Sequence, residues 1–238
     1  MHEGLVSTRL GLQGVPAAAE EVMVARDLQL AELTGARLHL AHLSTKGSVR
    51  MVRDAKARGL RVTAEACPHH FVLTDEAVMG YNTAAKMNPP LRTWDDVLAL
   101  RDGLRDGTID AIATDHAPHA AQEKEQEFAA APNGVVGLET ALSLTLSLVE
   151  EGVLSLERAI SLLSAGPALA FGIPGGSLRV GAAADVTIID PAAGWEVDPA
   201  RLKSRSRNTP FAGWKVKGRA IYTIVGGRVV YELNGDAQ

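Results

Sequence analysis

The chain is poor in cysteine and in aromatic residues, and it carries no excess of basic charge. Its 238 residues include one cysteine, Cys67, which excludes an internal disulfide framework and leads us to expect a reducing, cytoplasmic location. Aromatic residues make up 4% and the formal net charge is −4. The sequence therefore has neither the stacking side chains nor the basic surface that are typical of nucleic-acid-binding proteins.

Long apolar runs are also absent. No stretch of about 18 apolar residues occurs, so no membrane-spanning helix and no membrane partner are predicted. The first residues do not combine a basic segment with an apolar run, as a secretory signal would. What remains is a composition of 46% hydrophobic and 22% charged residues, which is typical of a folded globular protein.

Short apolar segments alternate with helical patterns in the first part of the chain. Residues 37–43, 61–67 and 109–114 are predicted strands. The predicted helices have apolar stripes and start or stop signals: Val24, Leu28 and Ala31 between Pro16 and Gly35; Val49, Val52 and Ala55 before Gly59; Val97, Leu100 and Leu104 after Thr93 and Asp96; Leu156, Ile160 and Leu163 after Ser155. Strands separated by single helices pair in parallel, which predicts an α/β layer or barrel, although three strands are too few to complete either.

The pattern changes after about residue 174. Val186, Ile188 and Ile189 form an apolar run, and residues 219–225 and 228–232 flank Gly226-Gly227, a two-residue hairpin signal. A hairpin plus one strand is marginal alone, so we expect it to complete a sheet begun elsewhere. We accordingly divide the chain into residues 1–174 and residues 175–238.

The histidines point to where chemistry should be sought. All seven precede residue 120, and α/β folds place their active sites at the carboxyl ends of strands. His42 lies at the end of the first predicted strand, on the face of Leu38 and Leu40, whereas His39 points the other way and cannot share a metal with it. A metal ligand and a capped, partly buried histidine are about equally supported for His42.

The third predicted strand ends in Thr114-Asp115-His116-Ala117-Pro118-His119. A carboxylate directly after a buried strand is costly unless it is paired, protonated or metal-bound. A metal-bound Asp115 could also accept and return a proton as a general acid–base. The alternative is a turn or cap aspartate, but the close Asp-His-x-x-His spacing favours a site.

Two further segments have weaker signals. In Cys67-Pro68-His69-His70 we expect the side chains to diverge and to serve packing and hydrogen bonding, with Cys67 as a small apolar residue. In the loop of residues 86–92, two prolines could hold Asn88 for substrate recognition, unless the loop is an ordinary surface connection. The glycines of residues 132–137 could bring backbone amides close to a ligand, but no Walker A or dinucleotide pattern is present.

These segments resemble the C-terminal half of bacterial type I dihydroorotases, in the amidohydrolase superfamily. The segments that carry the resemblance are HLAHLSTKGSV (39–49), VTAEACPHHFVLT (62–74), KMNPPLR (86–92), DGTIDAIATDHAPH (106–119), PNGVVGLETAL (132–142) and NTPFAGWKVKG (208–218). Residues 1–20 also match, and in that family they follow the fifth barrel strand.

The resemblance implies a partial (β/α)8 barrel, about strands 6 to 8, followed by the C-terminal part of a small β-sandwich. The implied reaction is reversible zinc-dependent hydrolysis of (S)-dihydroorotate to N-carbamoyl-L-aspartate in pyrimidine biosynthesis. His42 and Asp115 would bind one or two zinc ions, and Asp115 would also be the catalytic acid–base. The substrate would be bound by the following residues: Asn88, His119, Asn133 and Gly134.

The remaining ligands of that family lie upstream of residue 1, so the chain is expected to be truncated and inactive alone. The partners implied are a small-molecule substrate, a second copy in a homodimer, and aspartate carbamoyltransferase. Two alternatives stay open. One is another cyclic-amide hydrolase, a hydantoinase or an allantoinase; the other is an inactive scaffold for aspartate carbamoyltransferase, which would not need His42, Asp115 and His119.

Overall fold

The computed structural model describes residues 1–233, in which two separate three-stranded sheets form. The strands are β1 (Leu38–Leu40), β2 (Val62–Ala66), β3 (Ala111–Ile112), β4 (Val186–Glu196), β5 (Lys215–Val225) and β6 (Arg228–Glu232). The α-helices are α1 (Leu5–Leu10), α2 (Ala17–Thr34), α3 (Lys46–Ala57), α4 (Pro68–Val72), α5 (Trp94–Asp106), α6 (Ala121–Lys124), α7 (Ala141–Glu150), α8 (Leu156–Leu163) and α9 (Ala165–Phe171). Short 3-10 helices span Asp75–Tyr81, Thr83–Ala85 and Pro199–Arg201. No helix in this described part is long and apolar enough to cross a bilayer.

The first sheet is parallel, with β2 between β1 and β3. Its strands lie within the three predicted segments but are shorter than predicted. Three strands do not close a barrel, so the residues described form an open mixed α/β structure. On β2, Val62, Ala64 and Ala66 are buried, whereas Thr63 and Glu65 on the opposite face are partly exposed.

Helices cover the apolar face of this sheet, and their buried stripes are mostly those that the sequence predicts. In α2, Val24, Leu28 and Ala31 are buried, and the helix ends at a left-handed Gly35. The predicted stripe of α3 is also buried. Apart from Ala31, these side chains join the apolar face of β2 in one core, which therefore lies on the helical side of the sheet.

Helix α8 begins where predicted, but its buried face is centred on residues other than the predicted ones. The Ser155 side chain accepts a hydrogen bond from the Arg158 amide, as an N-cap should. However, the fully buried residues are Ala159 and Leu162, whereas Leu156 is exposed. The predicted stripe was wrong for Leu156, whereas Ile160 is half-buried and Leu163 is half-buried and packs against the core.

The second sheet is antiparallel, in the order β4-β5-β6. The predicted hairpin is confirmed: Gly226 and Gly227 connect β5 to β6 with φ of 57° and 78°, as a two-residue turn of this kind requires. The sheet contacts helix α7, because the Ser143 hydroxyl donates to the Gly218 carbonyl at 2.7 Å and accepts from the Trp195 indole at 3.0 Å. Whether residues 1–174 and 175–238 are separate domains stays a prediction.

Candidate active site at the carboxyl edge of the parallel sheet

His42 and Asp115 lie at one edge of the parallel sheet, just beyond the ends of β1 and β3. The Leu43 amide donates to Glu65 O at 3.0 Å and the Ala113 amide to Ala66 O at 3.1 Å, so both segments continue alongside the end of β2. Residues His42 and Asp115 have φ of 38° and 45°, and Tyr81 is the third non-glycine residue with positive φ in residues 1–233. Such strained backbone collects at functional sites, which marks this edge as a candidate site.

The surroundings of the two histidines near β1 differ. The Nδ1 atom of His42 is buried and has no hydrogen-bond partner in the described residues, which is costly for a polar atom and fits a metal ligand. His39 instead contacts Thr63 Oγ1 at 2.8 Å and Glu65 Oε2 at 3.0 Å on the other face of the sheet. The expected orientation of His39 is therefore confirmed, but strand alternation stops at Leu40 and does not fix the direction of His42.

Cys67, His69 and His70 come together at the end of β2, where divergence was expected. The two imidazole centroids are 4.3 Å apart, and one donor atom from each of the three residues lies within 4.8 Å of the others. All three side chains are buried, and His69 Nε2 and His70 Nδ1 lack partners. The expectation of divergence was wrong, because Pro68 starts the short helix α4 here and keeps both rings inside. The group could hold a metal ion.

Burial determines the charge of this group. It raises the pKa of the Cys67 thiol far above its usual range, with a further contribution from Asp115, so the free thiol is protonated and not a nucleophile. Burial also lowers the pKa of His70 to about 4, and it lowers the pKa of His69 well below the usual range. Both imidazoles are therefore neutral near pH 7, and each keeps a lone pair.

The loop that carries Asn88 is attached to this edge by its backbone. His70 Nε2 donates to the Pro89 carbonyl at 2.8 Å, which leaves the unpartnered Nδ1 of neutral His70 as a lone-pair atom. On the other side of Asn88, the Lys86 carbonyl accepts from the Gly134 amide at 2.9 Å. The Asn88 side chain is exposed and free of hydrogen bonds within residues 1–233, so it is available to a ligand.

His119, Asn133 and Gly134 contact one another. His119 Nε2 donates to the Asn133 carbonyl at 2.8 Å. Gly134 has φ of 131°, and a Cβ added there would lie 2.5 Å from the Ala117 Cβ, so only glycine permits this approach. The structure thus joins the predicted substrate residues through the loop that follows β3, although it does not test their roles.

Two residues of this site carried no local signal in the sequence. Asn208 donates from Nδ2 to Gly134 O at 3.1 Å, and it lies in the segment NTPFAGWKVKG, to which the resemblance assigned no role. Lys124 Nζ donates to Pro132 O at 2.8 Å and to Gly134 O at 3.2 Å. Burial, with a smaller contribution from the charge of Lys86, lowers the pKa of Lys124 to about 8.

The sequence is similar to known enzymes over nearly its whole length. A family model described as the amidohydrolase family matches residues 1–230. A dihydroorotase of Citrifermentans bemidjiense is 62% identical over 98% of this chain, which covers 55% of that relative. A dihydroorotase of Anaeromyxobacter dehalogenans is 61% identical over 98% of this chain and 54% of its own length. The chain therefore spans about half the length of these relatives.

Solved structures with a similar fold include a hydantoinase and a dihydropyrimidinase. An L-hydantoinase (dihydropyrimidinase) from Arthrobacter aurescens superposes with a TM-score of 0.86 at 32% identity, over 92% of this chain and 49% of that one. A dihydropyrimidinase from Brevibacillus agri gives a TM-score of 0.86 at 26% identity, over 91% of this chain and 49% of that one. Again the match covers about half of each known protein.

Proposed function

The chain belongs to the amidohydrolase family, and from this we propose that the complete protein containing it is a dihydroorotase. It would hydrolyse the cyclic amide of (S)-dihydroorotate to N-carbamoyl-L-aspartate and catalyse the reverse ring closure. The observation that carries the proposal is the identity of 62% with a dihydroorotase across 98% of the chain. The placement of His42 and Asp115 at one strained edge of the sheet supports it.

We assign a metal site to His42 and Asp115. The buried, unpartnered Nδ1 of His42 and the carboxylate of Asp115 are a donor set that suits zinc. Held by these residues, zinc would lower the pKa of a bound water molecule and would polarise the carbonyl under attack. Because a catalytic zinc usually takes three protein ligands, this pair needs at least one further ligand, and the family resemblance places the remaining ligands upstream of residue 1.

Asp115 would also move the proton of the reaction. Its side chain is exposed at the edge of the sheet, so a substrate can reach it. In hydrolysis, the carboxylate accepts a proton from the attacking water and delivers it to the ring nitrogen as the amide bond breaks. That delivery is essential because an amide nitrogen is a poor leaving group as an anion.

The loops around Asp115 would bind the carboxylate of the substrate. Asn88 offers an exposed amide, whose N–H groups can donate to a carboxylate oxygen. His119 and the Asn133-Gly134 backbone lie on the neighbouring loop, where the bond from His119 Nε2 to the Asn133 carbonyl fixes their relative position. A small, anionic cyclic amide is therefore the substrate class that we propose.

A hydantoinase is the nearest alternative, because the solved structures of the same fold include hydantoinases. The identity is 32% with one of these and 62% with a dihydroorotase over similar shares of the chain, which favours dihydroorotase. An inactive scaffold for aspartate carbamoyltransferase is disfavoured because such a scaffold would not need His42 and Asp115.

The test is the turnover of dihydroorotate by the complete protein and by its Asp115→Asn variant. The amide keeps the size of the side chain but cannot accept the proton, so we expect kcat to fall by at least about 100-fold. Asp102→Asn is the matched control, because Asp102 is an exposed aspartate paired with Arg105 on helix α5. Normal turnover by Asp115→Asn, or no turnover by the wild type, would contradict the proposal.

A further inference from the structure

Asn208 lies far along the chain from the loops that it contacts. Its Nδ2 donates to Ala117 O at 2.9 Å and to Gly134 O at 3.1 Å, and its Oδ1 accepts from the His119 amide at 3.2 Å. Its own backbone carbonyl accepts from the Val136 amide at 3.0 Å. One buried residue therefore connects the strand-end loop of Ala117 and His119 to the loop that contains Gly134.

The bonding capacity of the amide matches this position. A carboxamide has two N–H donors, and both are used on backbone carbonyls, while its oxygen faces the one amide that donates to it. The residue is 7% exposed, so water cannot easily replace these bonds. No other uncharged side chain of this size offers two donors and an acceptor in this arrangement.

The bonds of Asn208 support the residues assigned to the substrate. Gly134 O also accepts from Lys124 Nζ at 3.2 Å, and Gly134 N donates to Lys86 O, next to the segment of Asn88. Ala117 N donates to Val135 O at 2.9 Å, which pairs the two loops. Removing Asn208 would leave the part-buried Ala117 carbonyl without this donor and the buried Gly134 carbonyl with Lys124 Nζ alone, so the two loops would be held less tightly.

We propose that Asn208 is a positioning residue that holds His119 and the Asn133-Gly134 turn in the geometry that binds the substrate carboxylate. It does not touch the substrate, and it acts through the two loops. The proposal rests on the proposed function for its consequence in catalysis, but the loop geometry that it predicts can be measured without any turnover.

The first experiment measures backbone hydrogen exchange in the complete protein for wild type and Asn208→Asp. Aspartate has the same shape, but it presents a carboxylate oxygen to Ala117 O or Gly134 O. We expect the Ala117 and Gly134 amides to exchange about tenfold faster, while the amides of helix α3 keep their wild-type rates. Unchanged exchange at Ala117 and Gly134 would overturn the proposal.

The second experiment measures kcat and KM for dihydroorotate with the same variants. A loosened carboxylate site should raise KM by about tenfold and change kcat less. The matched control is Asn82→Asp, since the Asn82 side chain makes local bonds, from Nδ2 to the Ala77 carbonyl at 3.2 Å and from the Ala84 amide to Oδ1 at 3.1 Å. It should keep wild-type KM and exchange.

A third variant covers the case in which Asn208→Asp does not fold. Asn208→Ser is uncharged and keeps one donor, so it should loosen the same two amides and raise KM by a smaller factor. Wild-type behaviour of Asn208→Ser in both measurements would count against the proposal. Absence of turnover in the wild type would refute the proposed function alone, because the exchange data would still report on Asn208.

Discussion

At the level of single residues, the backbone of His42 and Asp115 is as informative as their side chains. The position of both residues at strand ends could be predicted, because the start and the end of a hydrophobic run are visible in the local sequence. It did not predict positive φ at either residue. Nor could it predict the contacts of His70 with Pro89 or of Asn208 with Ala117, because these join residues 19 and 91 positions apart. Long-range hydrogen bonds of this kind depend on tertiary packing.

Lys124 gives a prediction about pH. An unfolded lysine has a pKa near 10.5, whereas burial lowers the pKa of Lys124 in the folded protein to about 8. Below both values, each state binds the proton, and between them only the unfolded chain does. The free energy of unfolding should therefore gain a contribution from Lys124 as the pH rises from about 8 to about 10.

The measurement compares denaturant unfolding of wild type and Lys124→Met in the complete protein between about pH 7.5 and pH 9.5. The free energy of unfolding of the wild type, minus that of Lys124→Met, should increase as the pH rises. The neutral amine can still donate to Pro132 O and Gly134 O. A difference that stays constant, or moves the other way, would show that Lys124 keeps an ordinary pKa.

At the level of elements, start and stop signals were predicted better than buried faces. The Thr93-Asp96 pair starts helix α5 as a capping box, and Gly35 ends α2 in the left-handed conformation. These signals work because they concern three or four neighbouring residues. The buried face of α8 was predicted only in part, because its centre, Ala159 and Leu162, is set by tertiary packing and not by the local spacing of apolar residues.

Asp96 gives a prediction about the junction between two helices. Its carboxylate accepts from Thr93 Oγ1 at 2.7 Å and from the Lys46 amide, in the first turn of α3, at 2.9 Å. Asp96→Ala should remove both, and thereby lower the free energy of unfolding by about 1–2 kcal/mol. Asp95→Ala is the control, because within residues 1–233 Asp95 makes only an exposed pair with Lys46 and should change stability by less than about 0.5 kcal/mol. Equal effects in thermal or denaturant unfolding would contradict this assignment.

At the level of the whole molecule, the parallel sheet is incomplete in the part of the chain that the structure describes. Strand β1 and strand β3 each pair only with β2. Large apolar side chains are exposed, including Leu33, Leu169 and Leu178, each more than 80% accessible. The fold class was predictable because strand and helix alternate regularly, whereas the number of strands in the complete sheet was supplied by the family resemblance.

We therefore expect residues 1–238 expressed alone to aggregate and to be inactive. Unpaired strand edges and exposed apolar surface favour aggregation, and two assigned ligands are too few to hold a catalytic zinc ion. We expect weak zinc binding, no dihydroorotase turnover and no cooperative thermal transition. Size-exclusion chromatography, zinc stoichiometry and a thermal scan check this. If residues 1–238 alone were soluble, zinc-loaded and active, the claim that the zinc site needs ligands from outside these residues would be contradicted.

The substrate preference of the complete protein tests the central claim most directly. The measurement is kcat/KM for dihydroorotate, hydantoin and allantoin under the same conditions, with zinc present. The amidohydrolase fold and the strand-end residues are compatible with all three, so only the comparison separates a dihydroorotase from a hydantoinase. We predict that dihydroorotate has the highest kcat/KM, because the exposed Asn88 amide presents N–H donors for a carboxylate that hydantoin lacks. A higher value for hydantoin or allantoin would contradict the assignment.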